Sequence, residues 1–398
     1  MRFIGLDIHK DYAVVAAVDP SGTPLRINPS RFDLRTGLAR FADRLEPEDV
    51  VALEASTNVW PIYDLLVRKT PHVLVANPIK TRAIAEARIK TDELDALTLA
   101  KLACSGFIAE VWIPDPQIRD LRILSSHRQS LSQTATRLKN KVHALLKRSG
   151  ISAYPDFLFT QKGRHFLATL SLPPAARWEL DSTLRVLDTV ERELVDLDRH
   201  MATWAIDNPQ AQLLMQIPGI NFVAALVILG EIGDIRRFPS PKKLCSYSGL
   251  VPRISQSGQK LYTGRITQAG RKKLRWILVE AAETAVRNEA YWQTVFERIA
   301  AKKGRNVAIV AVARKILTVI WHMLTKNQPY QRVQPRLVAR KLQETAWTAR
   351  KEGRRQRSVI QVVTNGLRLI GEEVAGEADT LIRRKRTQAS VVKVQAVG

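Results

Sequence analysis

Residues 3–8 read FIGLDI and residues 12–18 read YAVVAAV. Both are short apolar runs, and such runs favour β-strands. The turn-forming segment DPSG at residues 19–22 leads to a further extended piece near residues 25–27, so the chain is predicted to begin as three antiparallel strands. Asp7 stands inside the first strand, where a charge that faces a packed sheet needs a cation or strong hydrogen bonds to compensate it.

Helical and strand-like segments alternate after these strands. Their apolar patterns predict a layered α/β domain with the order βββαβαβα. The later elements are a helix over residues 34–45, a strand over 50–53, a helix over 60–68, a strand over 73–76 and a helix that begins near Lys90.

Basic residues greatly outnumber acidic ones. The 398 residues include 62 Lys and Arg against 38 Asp and Glu, which gives a formal net charge of +24. Such an excess is typical of proteins with a polyanionic partner, for which nucleic acid is the first expectation and an anionic membrane the second.

The sequence predicts neither a membrane span nor a secreted protein. No apolar run reaches 18 residues, and the N-terminus leads directly into a strand, so the protein is expected to be cytoplasmic. Cys104 and Cys245 are the two cysteines, which excludes a disulfide framework and a cysteine-based zinc site.

Leucines at heptad spacing predict two long helices beyond the break at residues 114–116. We expect these helices to form a hairpin within the chain or a contact between subunits, and the pattern alone does not separate the two arrangements. The first series is Leu124, Leu131, Leu138 and Leu145, and the second is Leu180, Leu187, Leu194 and Met201.

Four carboxylates are predicted to meet at one place. Asp7 lies in the first strand and Glu54 directly follows a buried strand, so both project from one sheet. Asp92 and Asp95 are three residues apart in a predicted helix, which puts them on one helical face. This set suits Mg²⁺ or Mn²⁺ ions in phosphodiester chemistry, as in the ribonuclease H-like layout. Each residue taken alone is more simply a surface charge or a helix cap, but the order of all four in this topology favours the metal site.

The second half of the chain offers candidate contacts to phosphate. Ile217-Pro218-Gly219-Ile220 resembles the turn of a helix-hairpin-helix, although a plain helix-capping turn explains it equally well. Ser257 precedes a glycine, and Ser-Gly by itself is a common turn pair. The candidate basic contacts are Arg265, Arg271, Lys272, Lys273 and Arg275 after Ser257, and Lys139 and Lys141 on the first heptad helix.

Taken together, these motifs resemble the DEDD transposases of bacterial insertion sequences, the IS110 family of RNA-guided recombinases. The N-terminal resemblance rests on GLDIHK at residues 5–10 and on KTDxxDA at 90–96. The C-terminal resemblance rests on SGLVP at 248–252 and on the following Ser-Gly at 257–258. The resemblance covers roughly residues 1–325, and the remaining tail is longer than the family pattern.

The resemblance implies a RuvC-like domain that carries the metal carboxylates, a coiled coil for assembly, and a transposase domain whose nucleophilic serine corresponds to Ser257. In the family this serine forms a phosphoserine ester with DNA, and the carboxylates act at the same phosphate from a partner subunit. Donor and target DNA are read by a structured noncoding guide RNA. The implied partners are therefore DNA, RNA and further copies of the chain, from a dimer to a tetramer, with no membrane.

On this basis the chain divides into four predicted parts, and the predicted fold class is α/β plus α. Residues 1–112 form the RuvC-like metal-dependent domain, and 113–208 form the assembly helices. Residues 209–327 form a mainly helical transposase domain, and 328–398 form a basic extension with some helix and a loose tail.

A DNA transposase or recombinase is the leading prediction, and two other functions stay open. A metal-only RuvC-like nuclease or Holliday-junction resolvase would use the carboxylates alone, and Ser257 would then be structural. A non-catalytic nucleic-acid-binding protein would retain the acidic residues without using them.

Overall fold

The computed structural model describes residues 1–84, 91–257, 260–267, 269–349 and 358–382. The chain divides into two compact units, Met1–Pro114 and Asp115–Gly398. The first unit is mixed α/β and the second is mostly helical.

The first unit is a sheet covered by helices. Its elements are β1 (Phe3–Ile8), β2 (Tyr12–Val18), β3 (Pro24–Leu25), β4 (Arg31–Asp33), α1 (Leu34–Ala42), β5 (Val50–Glu54), α2 (Val59–Leu66), β6 (Val73–Ala76), α3 (Pro78–Ile84) and α4 (Asp92–Cys104). The strand order is β3-β2-β1-β5-β6, and β4 also pairs with β2. β1 is therefore central, antiparallel to β2 on one side and parallel to β5 on the other.

Each face of this sheet has its own core. Ile4 and Leu6 of β1 join the apolar cluster that includes residues of α1 and α2. Phe3 of β1 instead joins a cluster with Leu99 and Ala103 of α4. Because side chains alternate along a strand, odd-numbered residues of β1 face α4.

Most elements of this unit follow the sequence prediction. The predicted strands at 3–8, 12–18 and 73–76 are confirmed, and the strand that begins at Val50 runs one residue further, to Glu54. The predictions missed β4 and α3. The helix predicted near Lys90 begins at Asp92, and Lys90 itself lies outside the described residues.

The second unit contains the remaining helices and one hairpin. Its elements are α5 (Pro116–Arg148), α6 (Gln161–Thr169), α7 (Pro174–Asp207), α8 (Pro209–Leu214), α9 (Phe222–Ile232), a 3-10 turn (Ile235–Arg237), α10 (Pro241–Ser248), β7 (Pro252–Ser257), β8 (Lys260–Ile266), α11 (Lys272–Asn288), α12 (Ala290–Lys303), α13 (Arg305–Lys326), α14 (Pro335–Thr348), α15 (Val359–Arg368) and α16 (Glu372–Gly376). Several helices start with proline, which suits the first helical position because its missing N–H would have no partner there.

The two heptad helices, α5 and α7, pack against each other within the chain. Arg128 Nε and Nη2 donate to the two carboxylate oxygens of Asp198 at 2.5 and 3.0 Å. Val142 on α5 and Leu187 on α7 are fully buried. Of the two arrangements that the leucine spacing allowed, the structure contains the intrachain hairpin.

One helix in the described part of the chain, α13, is long and apolar enough to cross a membrane by length and composition, with a mean hydropathy of 1.8. Half of that apolar window is buried inside the protein. Val312 and Ile316 belong to the main core, and α13 packs on α10, α11 and α12. These contacts explain the apolar sequence of α13 as that of a core helix.

Two features of the second unit go beyond the sequence prediction. The stretch before residue 270, for which no element was predicted, forms the β7–β8 hairpin. The extension after residue 328 contains the predicted helix, and α14 and α15 bury Val338, Leu342 and Val363 in the main core. The basic clusters at 351–355 and 383–386 lie outside the described residues.

Candidate functional site

Asp7 and Glu54 lie side by side at the carboxyl ends of two parallel strands. The register of β1 and β5 pairs the residues immediately before them. Both carboxylates also alternate onto the sheet face covered by α4, since Phe3 and Ala52 on the same strands pack in the α4 cluster.

Gly5 lets α4 lie directly on β1. A Cβ atom at this position would stand 1.9 Å from the carbonyl oxygen of Ala96 and 2.7 Å from the amide nitrogen of Ala100. A side chain of any size would therefore push α4 away from the strand. The glycine two residues before Asp7 brings the N-terminus of α4, with Asp92, toward that aspartate.

The start of α4 is a favourable place for negative charge. Thr91 caps the helix, and its Oγ1 accepts the N–H of Leu94 at 3.2 Å. Asp92 and Asp95 both lie in the first turn, where the positive end of the helix dipole stabilises carboxylates. The helix thus partly compensates the repulsion between these side chains.

Two residues that sequence reasoning did not assign, His9 and Tyr12, complete this cluster. His9 Nε2 lies 3.1 Å from Asp7 Oδ2 and 3.3 Å from Asp92 Oδ2. The Tyr12 hydroxyl donates to Asp92 Oδ2 at 2.9 Å, and its ring stacks on His9 with centroids 4.5 Å apart. The Arg31 guanidinium lies over the Tyr12 ring, with its central carbon 3.7 Å from the ring centroid.

The place of His9 in the cluster could have been predicted from the sequence. It follows Asp7 by two residues, so strand alternation predicts the same face for both side chains. Tyr12 carried no such signal, because its meeting with Asp92 depends on the fold.

The cluster perturbs the ionisation of its members. Burial raises the pKa of Asp7, His9 opposes this effect, and the carboxylates of Asp92 and Asp95 add to it. The hydrogen bond to Asp92 raises the pKa of Tyr12. A divalent cation would relieve the carboxylate repulsion directly.

The donor atoms fit a divalent metal ion. Asp7, His9 and Asp92 each offer one ligand atom, and these atoms lie within 4.8 Å of one another. Carboxylates and imidazole are common ligands of divalent ions in proteins. Glu54 and Asp95 stand beside this group but are not part of it in the described residues. The structure thus brings Asp7 and Asp92 together, and adds His9 to the predicted set.

Ser257 lies at the end of β7, where its Cα pairs with that of Lys260 on β8. Gly258, next in the predicted motif, lies outside the described residues. The Arg271 N–H donates to the Tyr247 carbonyl at 3.0 Å and so joins the two segments that flank the hairpin. Five residue steps separate Pro252, the first residue of β7, from Ser257, a span of roughly 16 Å at strand geometry.

Three predicted phosphate contacts near the hairpin base make internal contacts. Arg271 Nε donates to the buried carboxylate of Glu231 at 2.5 Å, and Arg275 Nη1 donates to the Ser248 carbonyl at 3.0 Å. Lys273 Nζ donates to the Ser126 hydroxyl. Arg265 and Lys272 are exposed. The exposed pair is therefore better placed than the other three to contact an external phosphate.

The two lysines on α5 face acidic residues of α7. Lys139 Nζ lies 2.8 Å from Glu191 Oε1, and Lys141 Nζ lies 3.6 Å from Glu179 Oε1. All four side chains are partly exposed, so these pairs contribute little stability. They reduce the local positive charge of this face without excluding phosphate contacts.

Comparisons with known proteins match two parts of the chain. Residues 4–151 match a DEDD transposase family described as "Transposase", and residues 211–297 match the "Transposase IS116/IS110/IS902 family". Together the two matches cover more than half of the chain. The chain belongs to the IS110/IS116 transposase family. The expectation of a DNA transposase or recombinase is confirmed at this level.

Relatives resemble the transposase over most of its length. It is 24% identical over 345 residues to the transposase for insertion sequence element IS1111A of Coxiella burnetii, covering 83% of this chain and 92% of the relative. It is 26% identical to a probable family 20 transposase of Pseudomonas aeruginosa, covering 82% and 98%. It is also 28% identical to the pilin gene-inverting protein of Moraxella bovis, covering 65% and 74%.

The second unit of the transposase also contains a cleft of about 820 Å³ between α5, α9 and α11, lined by both apolar and polar side chains. Polar side chains of α5 from Ser125 to Arg137, including Arg128, form one wall. Trp276 on the opposite wall is 45% exposed. An exposed aromatic ring beside hydrogen-bonding side chains suits an unstacked nucleic-acid base.

Proposed function

We propose that this transposase cuts and rejoins DNA through a metal-assisted carboxylate site in its first unit and a serine nucleophile in its second. The observation that carries the proposal is the meeting of Asp7 with Asp92 beside Glu54, at the carboxyl edge of a central strand. The sheet order, with an antiparallel β1–β2 pair beside parallel β5 and β6, supports a RuvC-like fold.

The proposed metal ligands are Asp7, Glu54, Asp92 and Asp95, and His9 joins them through Nε2. A bound Mg²⁺ or Mn²⁺ would supply electrostatic stabilisation of the charge that develops on the phosphate oxygens. Tyr12 orients Asp92 through its hydroxyl, and Gly5 sets the distance between strand and helix. These contacts hold the ligands in place before DNA arrives.

Ser257 is the proposed nucleophile. Its hydroxyl would lose a proton as Oγ forms a bond to the scissile phosphorus, while the bond from phosphorus to the leaving deoxyribose oxygen breaks and that oxygen takes up a proton. Attack on the phosphoserine ester by a DNA hydroxyl reverses the exchange and frees the serine. One phosphate ester replaces another at each step, so strands can be resealed without ATP.

The proposed partners are donor DNA, target DNA and a structured noncoding guide RNA. The net charge of +24 and the exposed Arg265 and Lys272 support binding of polyanions. The inversion of a gene by the Moraxella relative is also a cut-and-rejoin reaction, which favours recombination over simple cleavage. Because two DNA molecules must be held together, we propose a dimer or tetramer that works in the cytoplasm.

The variant Ser257→Ala separates recombination from metal-only cleavage. Purified transposase is incubated with labelled DNA carrying its insertion-sequence ends, with the flanking noncoding RNA and Mg²⁺ or Mn²⁺, and denaturing gels report protein–DNA adducts and cut strands. We expect an adduct with the unchanged protein and with Ser255→Ala, a control on the same strand. Ser257→Ala should give neither adduct nor joined product.

Two outcomes would favour the alternatives. Strand cleavage by Ser257→Ala without any adduct would support a metal-only RuvC-like nuclease or junction resolvase. Unchanged recombination by Asp7→Ala and Asp92→Ala would support a site in which these carboxylates take no part. For the proposal, Asp92→Asn must lose both cleavage and joining while it keeps DNA binding.

A further inference from the structure

A buried lysine of the C-terminal extension lies against the turn between α8 and α9. Lys341, on α14, is 9% exposed. Its Nζ donates to the carbonyl oxygens of Met215 at 2.7 Å, Ile217 at 2.7 Å and Ile220 at 2.8 Å. An ammonium group has three N–H donors, so these three carbonyls match its full donor capacity.

Carbonyl oxygens that converge on one point form a site for a dehydrated monovalent cation, because together they replace its water shell. The Lys341 ammonium occupies that point at the end of its own side chain. Burial lowers the pKa of Lys341 to about 7, and the charged form is the one that supplies all three hydrogen bonds. Below that pH the turn holds a full positive charge.

Other contacts fix the same turn. Gly219 has a φ of +86°, and a Cβ atom there would stand 2.3 Å from the Ala281 carbonyl oxygen on α11. The N–H of Tyr330 donates to Gln216 Oε1 at 2.8 Å, and Gln216 is fully buried. The segment from Tyr330 to Lys341 therefore holds the turn on one side while α11 supports it on another.

The turn determines how α9 begins. Asn221 Oδ1 caps the helix by accepting the N–H of Ala224 at 2.9 Å. The N–H groups of Phe222 and Val223 have no protein acceptor among the described residues. A shift of the turn would move these two N–H groups. It would also move residues 217–220, which the sequence analysis named as a candidate phosphate contact.

We propose that Lys341 is a positioning residue whose ammonium serves as a built-in cation for the carbonyl ring of Met215, Ile217 and Ile220 and thereby fixes the start of α9. The C-terminal extension is then a structural part of the transposase fold. Only the DNA-binding consequence rests on the proposed function.

A chemical rescue tests this role. Lys341→Ala removes the cation and leaves room for another, whereas Arg340→Ala removes the same charge from an exposed neighbour on α14. Melting temperatures are measured at pH 6 and constant ionic strength in ammonium chloride and in tetramethylammonium chloride. We expect Lys341→Ala to melt well below the unchanged protein and to recover part of the loss in ammonium alone, because tetramethylammonium cannot donate hydrogen bonds. The unchanged protein and Arg340→Ala should respond equally to both salts.

A second measurement covers the case in which Lys341→Ala does not fold. In the unchanged protein labelled with ¹⁵N-lysine, a slowly exchanging ammonium signal at pH 6 that is absent in Lys341→Met would support the proposal. Its absence from the unchanged protein, or equal recovery of Lys341→Ala in both salts, would overturn it.

DNA binding gives the functional readout. By fluorescence anisotropy with duplex DNA, Lys341→Ala should bind several-fold more weakly and recover in ammonium. Binding by Lys341→Ala equal to that of Arg340→Ala in both salts would contradict the positioning role. An unchanged protein that binds no DNA would contradict the proposed function, and the melting and exchange measurements would still decide the role of Lys341.

Discussion

Replacing Gly5 with alanine tests whether the contact between β1 and α4 builds the metal site. The new Cβ would stand 1.9 Å from the Ala96 carbonyl oxygen, whereas an ordinary van der Waals contact begins at 3.4 Å. The Ala100 amide nitrogen would lie 2.7 Å away, and both atoms belong to the helix backbone, which cannot rotate away. The helix must therefore move outward by about 1.5 Å. Asp92 at the start of α4 moves with the helix, while Asp7 stays on the strand.

Overpacking of this kind costs about 1–3 kcal/mol, which would lower the melting temperature of the first unit by several degrees. A displacement of about 1 Å at a reacting centre can cost on the order of 100-fold in rate. We therefore expect Gly5→Ala to fold, to melt earlier, and to cleave DNA about 100-fold more slowly at saturating metal.

The assay combines thermal unfolding, Mn²⁺ titration by calorimetry and strand-cleavage rates. Gly376→Ala is the matched control, since a Cβ atom at Gly376 meets nothing within 4 Å. A Gly5→Ala protein with unchanged metal affinity and cleavage rate would refute the reasoning, because it would show that the ligands do not depend on this contact.

Three further outcomes are expected. His9→Ala should weaken Mn²⁺ binding roughly 10-fold and Mg²⁺ binding less, since imidazole favours the softer ion, and calorimetry showing equal losses would contradict this role for His9. Glu231→Gln should lower the unfolding free energy by about 2 kcal/mol in urea titrations, because the Glu231 carboxylate is buried against the partly exposed guanidinium of Arg271. An unchanged urea midpoint would show that the ion pair between Glu231 and Arg271 does not stabilise the fold. The pKa of Lys341 is about 7 in the folded state, against 10.5 for an ordinary lysine. Between these two pH values the unfolded chain binds a proton that the native state has released. The unfolding free energy should therefore rise as the pH increases from about 7 toward 10.5. Arg340 and Glu344 are the charged neighbours, and a similar rise in Lys341→Met would assign the effect to another group.

The sequence predicted the sheet that carries the site with few errors. Apolar runs with turn residues between them place β1, β2 and β6 at their observed bounds. The same alternation puts Asp7 and Glu54 on one face, and α4 starts within two residues of its predicted position. Local periodicity carries this information because each strand or helix buries one of its own faces.

The β7–β8 hairpin and the C-terminal helices were predicted less well. The hairpin sequence contains two glycines among polar residues, and such composition is more common in loops. For the extension the sequence predicted some helix without locating α14 and α15, whose apolar residues pack on helices far away in the chain. Amino-acid composition describes a segment as a whole, whereas the packing of a helix depends on whether one of its faces is apolar.

The amino-acid sequence alone was enough to predict the strands around Asp7 and the two heptad helices, because short-range patterns encode which face of each element is buried. Only the tertiary structure decided which side chains meet. Tyr12 reaches Asp92 across 80 residues of sequence, and Lys341 reaches the turn at Ile220 across 121. Tertiary contacts also divided the predicted basic residues into exposed ones, such as Lys272, and internally bonded ones, such as Arg271. These pairings depend on how elements that are distant in sequence pack together, and no local pattern records that.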